Sequence, residues 1–216
     1  MVFLEEKVWE SWKDGLMGLQ EFRVLFLFVT GILALLVASP ALSRLLVLPR
    51  TEFFTELWIL GPDHMAEDYP FNISRNHNYS VFLGIGNRLG YCAYYLVEVK
   101  FRNQTMSAPD SFNRTPSSLP SLFNITAFVA DEEVWEQHLT FSINHSYNET
   151  FSRVEFYSLT LNDVALNMSD YMVAWDSEKK EFSGYLFFEL WIYNGTIGGF
   201  QYHERFVNLW LNMTSF

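Results

Sequence analysis

The chain has 216 residues, of which half are apolar and 18% aromatic, and its formal net charge is −11. This composition excludes a disordered polymer, because so many apolar side chains can build a packed core. The acidic balance argues against nucleic acid as a partner, since a nucleic-acid-binding protein needs a basic face to neutralise phosphates. With Cys92 as the sole cysteine, neither an internal disulfide nor a cysteine-rich zinc module can form.

The N-terminal segment, residues 1–22, has apolar side chains at spacings of three and four, as in a short amphipathic helix. A docking surface for a partner's membrane subunit is one interpretation of that face. Because Gly15 and Gly18 weaken the helix, an ordinary cytoplasmic juxtamembrane helix is the interpretation we favour.

Twenty consecutive uncharged residues follow, from Val24 to Ser43. A helix of that length spans about 30 Å, the hydrocarbon thickness of a bilayer. Arg23 and Arg44 border the segment, where long cationic side chains reach the headgroups. A cleaved signal peptide is the alternative, but the segment is longer than a typical signal core. We predict an uncleaved transmembrane helix over residues 23–48, with the lipid bilayer as its partner.

The positions of the asparagines indicate how the chain is oriented across the membrane. Ten of the fourteen asparagines lie in Asn-x-Ser/Thr sequons, where chance would give about two, and all ten follow the apolar segment. We therefore place the C-terminal part outside the cell membrane and the N-terminus in the cytoplasm, and we expect N-linked glycans. The sequon asparagines are Asn72, Asn78, Asn103, Asn113, Asn124, Asn144, Asn148, Asn167, Asn194 and Asn212. Those in predicted turns are the favoured acceptors: Asn113, Asn148 and Asn194.

The low cysteine content indicates the kind of organism that the protein comes from. An outer domain of this size from a eukaryotic secretory pathway would usually carry disulfides. Dense sequons, a single cysteine and an acidic surface together indicate an archaeal cell-surface protein.

From residue 51 onward the apolar pattern alternates, as in β-strands that bury one face. Asn194–Gly199 reads as a hairpin, and so does Asn87–Gly90. Residues 103–121 read as a long loop, and residues 162–175 could form a short helix. The predicted strands cover 53–60, 79–85, 93–101, 122–129, 134–143, 151–161, 185–193 and 200–213.

That spacing of strands and turns predicts the fold class. Short strands with turn signals every eight to twelve residues are typical of an immunoglobulin-like antiparallel β-sandwich. We assign residues 51–216 to one such glycosylated extracytoplasmic domain, carried on a single N-terminal transmembrane helix.

Three segments carry a family resemblance: Thr51–Pro70, Val81–Asn87 and Phe206–Thr214. They resemble archaeal membrane proteins that share domain of unknown function 1616, and the resemblance covers roughly residues 45–216. It implies a membrane-anchored extracytoplasmic domain and carries over no catalytic residues. Longer members of that family have several membrane spans before the domain, whereas this sequence shows one.

Metal-binding patterns are weak in this sequence. Asp63, Glu67 and Asp68 follow the first predicted strand and are the best cation candidates, but a solvated acidic turn explains them more simply. No HxxxH or HxH pair occurs, so we predict no metal site. Each of the five histidines is interpreted as exposed or in a loop: His64, His77, His138, His145 and His203.

Catalytic motifs are not visible either. The sequence has no nucleophile elbow, phosphate-binding loop or dinucleotide fingerprint. Glu189 and Glu204 could form a two-carboxylate glycosidase centre, but the solvent face of a strand is the simpler explanation. We expect a protein that is not an enzyme and that has no cofactor besides glycans.

Four aromatic residues near the C-terminus have three interpretations. The sandwich core is favoured, a subunit interface comes second, and a carbohydrate-stacking platform third. These residues are Trp191, Tyr193, Tyr202 and Trp210.

The expected function is structural. We expect a single-pass membrane-anchored interaction protein, an accessory subunit of a membrane or cell-envelope complex with other protein subunits as partners. One alternative is a surface module that binds carbohydrate or an S-layer. Another is the non-catalytic subunit of a membrane enzyme complex.

Overall fold

The computed structural model describes residues 22–40, 52–110 and 112–214. Contacts within the chain divide it into one unit before Glu52 and a second unit from Glu52 onward.

The first unit contains one described helix, Phe22–Pro40, which is long and apolar enough to cross a membrane. Its hydroxyl at Thr30 donates to the carbonyl oxygen of Phe26 at 2.7 Å, so this polar group is satisfied within the helix. The predicted apolar helix is therefore present. The predicted juxtamembrane helix before Phe22, and residues 41–48 of the predicted span, lie outside the described residues.

The second unit is built from strands, and every segment predicted as a strand contains one. In chain order the strands are β1 (Phe54–Leu60), β2 (Asn72–Ser74), β3 (Tyr79–Arg88), β4 (Ala93–Arg102), β5 (Phe123–Val129), β6 (Val134–Asn148), β7 (Arg153–Leu161), β8 (Val164–Asn167), β9 (Met172–Ala174), β10 (Ser183–Asn194) and β11 (Gly199–Thr214).

Two sheets form the sandwich. The first has the order β1-β3-β6-β7-β8, with β9 also paired to β7, and the second has the order β2-β11-β10-β4-β5. All pairs are antiparallel except β2 with β11, which is parallel. The structure confirms a mainly β, immunoglobulin-like sandwich behind an N-terminal apolar helix.

The core lies between the sheets and follows the alternation of the strands. In β4 the side chains of Tyr95, Val97, Val99 and Phe101 are buried, while the residues between them point to the other face. Facing side chains from the first sheet, such as Leu83 of β3, complete the same apolar cluster.

The segment Asn87–Gly90 is not a hairpin, contrary to the prediction. It leads from β3 in the first sheet to β4 in the second, so it crosses between the layers. The side chain of Asn87 holds this crossing, because its Nδ2 donates to the carbonyl oxygens of Tyr91 at 2.8 Å and Val129 at 2.9 Å. The other predicted hairpin is confirmed, since Asn194 pairs with Gly199.

Residues 162–175 form strands β8 and β9 instead of a short helix. Asn162 and Asp163 both have positive φ angles, 46° and 66°, which turn the chain sharply and end any helical path. The chain then returns along β7, with Val164 opposite Leu161.

The two ends of the sandwich contain different strands and connections. We call the end where the unit begins the proximal end; it contains the start of β1, the end of β3 and the hairpin 194–199. The distal end contains β2, the end of β4 and the β6–β7 connection.

Candidate functional site

The sequon asparagines are all accessible. All fourteen asparagines lie in described residues, and Asn87, which is not in a sequon, is the one that is buried. Five sequon side chains are exposed and five are half-buried. The exposed ones are Asn72, Asn78, Asn113, Asn124 and Asn167; the half-buried ones are Asn103, Asn144, Asn148, Asn194 and Asn212.

Their distribution over the sandwich is uneven. Asn113 and Asn124 lie over the middle of the second sheet, as the Arg114–Glu204 contact and the pairing of Asn124 with Glu98 show. Asn194 alone lies at the proximal end. The remaining seven lie in the distal half: Asn72, Asn78, Asn103, Asn144, Asn148, Asn167 and Asn212.

All three favoured acceptors use their side-chain amides in hydrogen bonds, and Asn113 Nδ2 donates to Asp110 Oδ2 at 2.6 Å. Asn148 Nδ2 donates to Glu155 at 3.1 Å, and Asn194 Nδ2 donates to Gln201 at 3.0 Å. These bonds can survive glycosylation, since a substituted amide keeps one N–H. Occupancy of the ten sites stays a prediction.

The acidic connection, residues 61–71, does not gather its carboxylates into a site. Asp63, Glu67 and Asp68 are exposed. Within the described part of the chain, no three His, Cys, Asp or Glu side chains come close enough to hold a metal ion. The neighbouring His64 binds a carboxylate instead, with its Nε2 at 2.5 Å from Glu136 Oε1.

Two histidines correct the expectation of exposed or loop positions. His145 is fully buried on β6, and His203 is half-buried on β11. Burial lowers the pKa of both imidazoles below the ordinary value, because a low-dielectric surrounding disfavours the charged form. Alternation alone could have indicated His145, since it lies two residues after the buried Ile143.

A polar network surrounds His203 between the sheets. Its Nε2 lies 2.8 Å from Thr55 Oγ1, which in turn lies 3.1 Å from the Tyr95 hydroxyl. That hydroxyl donates to Asn87 Oδ1 at 3.1 Å, which joins the network to the crossing between the layers. Burial raises the pKa of Tyr95, so the phenol stays protonated. This network links both sheets to the crossing at the proximal end.

Glu189 corrects another expectation, because it is buried and not on a solvent face. Lys100 Nζ donates to Glu189 Oε2 at 2.6 Å, and the backbone N–H of Ser117 donates to Oε1 at 2.7 Å. Lys100 also contacts Glu98 at 2.9 Å and is itself buried. We call Lys100 and Glu189 the covered ion pair, since the loop 103–121 lies over them on the outer side of the second sheet.

Glu204 has a different environment. It is exposed, and its carboxylate lies 3.4 Å from Arg114 of the covering loop. Both carboxylate oxygens of Glu189, in contrast, are already engaged. The Glu189 carboxylate therefore acts as a counter-ion for Lys100 and as the hydrogen-bond acceptor that holds the loop. The loop is therefore bound at two points, by Glu189 at Ser117 and by Glu204 at Arg114. Nothing in the sequence indicates that β4 and β10 pair, so the sequence alone does not predict the covered ion pair.

The four C-terminal aromatic residues are not in the core, contrary to the favoured prediction. Core side chains of β10 are Leu186, Phe188 and Leu190, and the alternate positions face outward. All four lie on the outer face of the second sheet, in register across β10 and β11: Trp191 beside Tyr202, Tyr193 beside Phe200, and Trp210 beside Tyr185. Burial raises the pKa of Tyr202 to about 12.

An apolar groove of about 720 Å³ lies between β1 and β11. Both sheets have an edge at this groove. β1 is the edge strand of the first sheet, and in the second sheet β2 pairs with only three residues of β11. Part of the β1 edge is capped, since the Tyr69 hydroxyl donates to the carbonyl oxygen of Ile59 at 2.9 Å. The lining is mostly apolar and aromatic: Leu57, Trp58, Leu60, Tyr69, Phe71 and Trp210.

Comparison with solved structures gives distant likenesses. A β-glucosidase from Listeria innocua in complex with gluconolactone has 10% identity and a TM-score of 0.36, over 77% of this chain. The chain spans 17% of the length of that β-glucosidase. A chain of the complex between Zinc 2-glycoprotein and prolactin inducible protein from human seminal plasma has 7% identity and a TM-score of 0.35, with 77% of this chain and 99% of that chain covered.

A third likeness is the PapD-like domain 7 of human CEP192, with 9% identity, a TM-score of 0.34, and coverage of 79% of this chain and 93% of that chain. No curated protein matches the chain in sequence.

A family model does match, over residues 48–164. The match begins before β1 and ends at the first residue of β8, so it takes in two of the three segments that carry the resemblance and leaves out Phe206–Thr214. It extends over more than half of the chain, and the chain therefore belongs to the family defined by the domain of unknown function DUF1616.

Proposed function

We propose that the protein is a single-pass membrane-anchored accessory subunit of a membrane or cell-envelope complex, with its sandwich outside an archaeal cell. In this proposal the sandwich carries N-linked glycans, performs no chemistry of its own and binds a partner subunit. The observation that carries the proposal is the apolar groove between β1 and β11.

The groove suits an extended segment of a partner protein. Unpaired backbone groups of β1 can form main-chain hydrogen bonds with an added strand, and the aromatic lining offers pockets for its side chains. The connection that borders the groove exposes three carboxylates, on Asp63, Glu67 and Asp68. We therefore expect the partner segment to be basic as well as apolar.

Accessible sequons support the outside location. A transferase can modify only an asparagine whose amide reaches solvent, and each of the ten sequon side chains is at least partly exposed. Dense sequons and a single cysteine support the archaeal assignment.

Purification from native membranes in mild detergent tests the partner. We expect a stoichiometric second subunit with the natural chain, and its loss with the groove variant Phe71→Ala/Trp210→Ala. Because these side chains are only 41% and 42% exposed, thermal unfolding of the purified variant must show that the sandwich still folds. The matched control is Phe112→Ala/Phe151→Ala, which removes two exposed rings away from the groove lining. An isolated monomer in every preparation, or a partner retained by the groove variant, contradicts the proposal.

A carbohydrate-binding module is the second candidate, and the outward aromatic rings favour it. Tyr185 and Trp210 are stacked with a centroid distance of 6.2 Å, and Phe71 meets Trp210 edge-on at 5.7 Å. Sugar rings bind to such faces. Retention of the chain on immobilised cell-envelope glycans, abolished by Trp210→Ala, would favour this candidate over the accessory subunit.

A further inference from the structure

The outer face of the second sheet carries a row of four aromatic rings at the proximal end. Phe128, Tyr94, Tyr193 and Phe200 occupy matching positions on β5, β4, β10 and β11. Tyr94 lies at centroid distances of 6.1 Å from Phe128 and 6.2 Å from Tyr193, and Tyr193 lies 5.6 Å from Phe200. The row is continuous across four strands.

Connections at the same end of the sandwich carry three more exposed apolar side chains. Phe53 precedes β1, Tyr91 lies in the crossing between β3 and β4, and Ile197 is at the tip of the β10–β11 hairpin. Six side chains of this set are exposed, from 37% for Tyr94 to 71% for Phe128, and Phe200 is half-buried. A set of exposed apolar side chains this dense marks an interaction surface. We call these seven residues the proximal aromatic patch.

The number of residues between the helix and the sandwich limits how far the sandwich can lie from the membrane. The described helix extends to Pro40 and the sandwich unit begins at Glu52, with eleven residues between them. A fully extended connection of that length reaches about 40 Å at most. This length allows the sandwich to contact the bilayer that the helix can cross.

The chemistry of the patch matches the bilayer interface. Tyrosine and other aromatic side chains are favoured at the level of lipid headgroups, where a ring is partly buried and a hydroxyl stays hydrated. Seven of the ten sequons lie in the distal half, so glycans there would leave this end uncovered. Asn194 is the exception, but its side chain points to the face opposite Tyr193, toward Gln201.

Charge at this end argues against attraction to anionic lipid. The turn between β5 and β6 presents exposed carboxylates on Glu132 and Glu133. Arg88 is engaged with the carbonyl oxygen of Glu132. The contact is accordingly apolar, and it does not depend on the basic clusters that recognise anionic headgroups.

We propose that the proximal aromatic patch docks the sandwich onto the headgroup region of the lipid bilayer that holds its own helix. This inference goes beyond the proposed function, because it assigns a lipid surface to a face distinct from the groove. It does not require glycosylation or a partner subunit.

Cys92 provides a natural probe of this contact. It is the sole cysteine, it is exposed, and it lies in the patch between Tyr91 and Ala93. The full chain, labelled there with a nitroxide, is reconstituted in nanodiscs of zwitterionic phosphatidylcholine. We expect the label to lose collisions with a water-soluble nickel chelate and to keep collisions with oxygen. A label at the distal end, in the variant Cys92→Ser/Ser177→Cys, should remain accessible to nickel.

A matched pair of variants separates docking from local shielding. Phe128→Ser/Tyr193→Ser should restore nickel collisions at Cys92, whereas Phe112→Ser/Phe151→Ser should not. Replacing part of the lipid with phosphatidylglycerol should leave the protection unchanged. Nickel access in the natural chain, or protection that persists in the patch variant, overturns the proposal. Dipolar broadening between labels would indicate a second copy as the occupant, and protection confined to native membranes would indicate a partner protein; either result also overturns it.

Discussion

At the scale of single residues, the covered ion pair is the clearest consequence of the fold. Lys100 and Glu189 are both buried, and each has more than one partner. Two charges removed from water are tolerated only when their geometry and remaining hydrogen bonds compensate for desolvation. Here the carboxylate is satisfied by one cation and one backbone N–H.

Removal of one member should therefore be costly. We expect Lys100→Met to destabilise the sandwich by about 3–5 kcal/mol, because it leaves Glu189 charged and buried. The double variant Lys100→Met/Glu189→Gln should recover part of that loss, since glutamine still accepts from Ser117. Arg114→Met, which breaks the exposed pair with Glu204, should cost less than about 1 kcal/mol. Urea unfolding measures all three, and equal losses for the buried and the exposed variant would contradict this account.

Histidine burial predicts the response to pH. The folded pKa of His145 is lowered by burial, so the unfolded chain binds a proton at higher pH than the folded chain does. Stability should then be full above the unfolded pKa of about 6.5 and fall as the pH drops below it. The slope can reach about 1.4 kcal/mol per pH unit for this group. Thermal unfolding between pH 7.5 and 5.5 should show the decline, and His145→Gln should reduce it; an unchanged slope would refute the assignment.

At the scale of elements, the pairing of β1 with β3 shows how two strands share an outer surface. Trp58 lies opposite Gly84, and its ring occupies the space that a side chain at Gly84 would need. A Cβ at this position would lie 2.2 Å from Trp58 Cε2. The absence of a side chain at Gly84 therefore leaves room for the indole ring of Trp58, next to the groove.

Substitution of Gly84 tests this packing of the indole ring directly. We expect Gly84→Ala to displace the indole and to destabilise the sandwich by about 1–3 kcal/mol, as overpacking usually does. Gly195→Ala in the hairpin tip is the matched control, because nothing lies within 4 Å of its added Cβ. Tryptophan fluorescence and thermal unfolding report ring position and stability. An unchanged melting temperature with Gly84→Ala would show that the ring can move at no cost.

At the scale of the whole molecule, sequons and helix together predict the topology. On intact cells we expect protease to digest residues 51–216 while residues 1–22 stay protected, because ten accessible sequons favour an extracytoplasmic sandwich. Antibodies against the two parts would follow the fragments. Digestion of the N-terminus with a shielded sandwich would reverse the orientation.

The sequence by itself determined the apolar helix, the positions of most strands and the sandwich class, because those follow from local periodicity and turn residues. It also determined which asparagines carry sequons. Only the tertiary structure decided that Asn87 holds a crossing between layers, that Glu189 meets Lys100, and that the C-terminal aromatic rings face outward. The two faces of an alternating strand are equivalent in sequence, and which one is covered depends on strands and loops distant in the chain. That choice of face created the groove, the covered ion pair and the proximal aromatic patch.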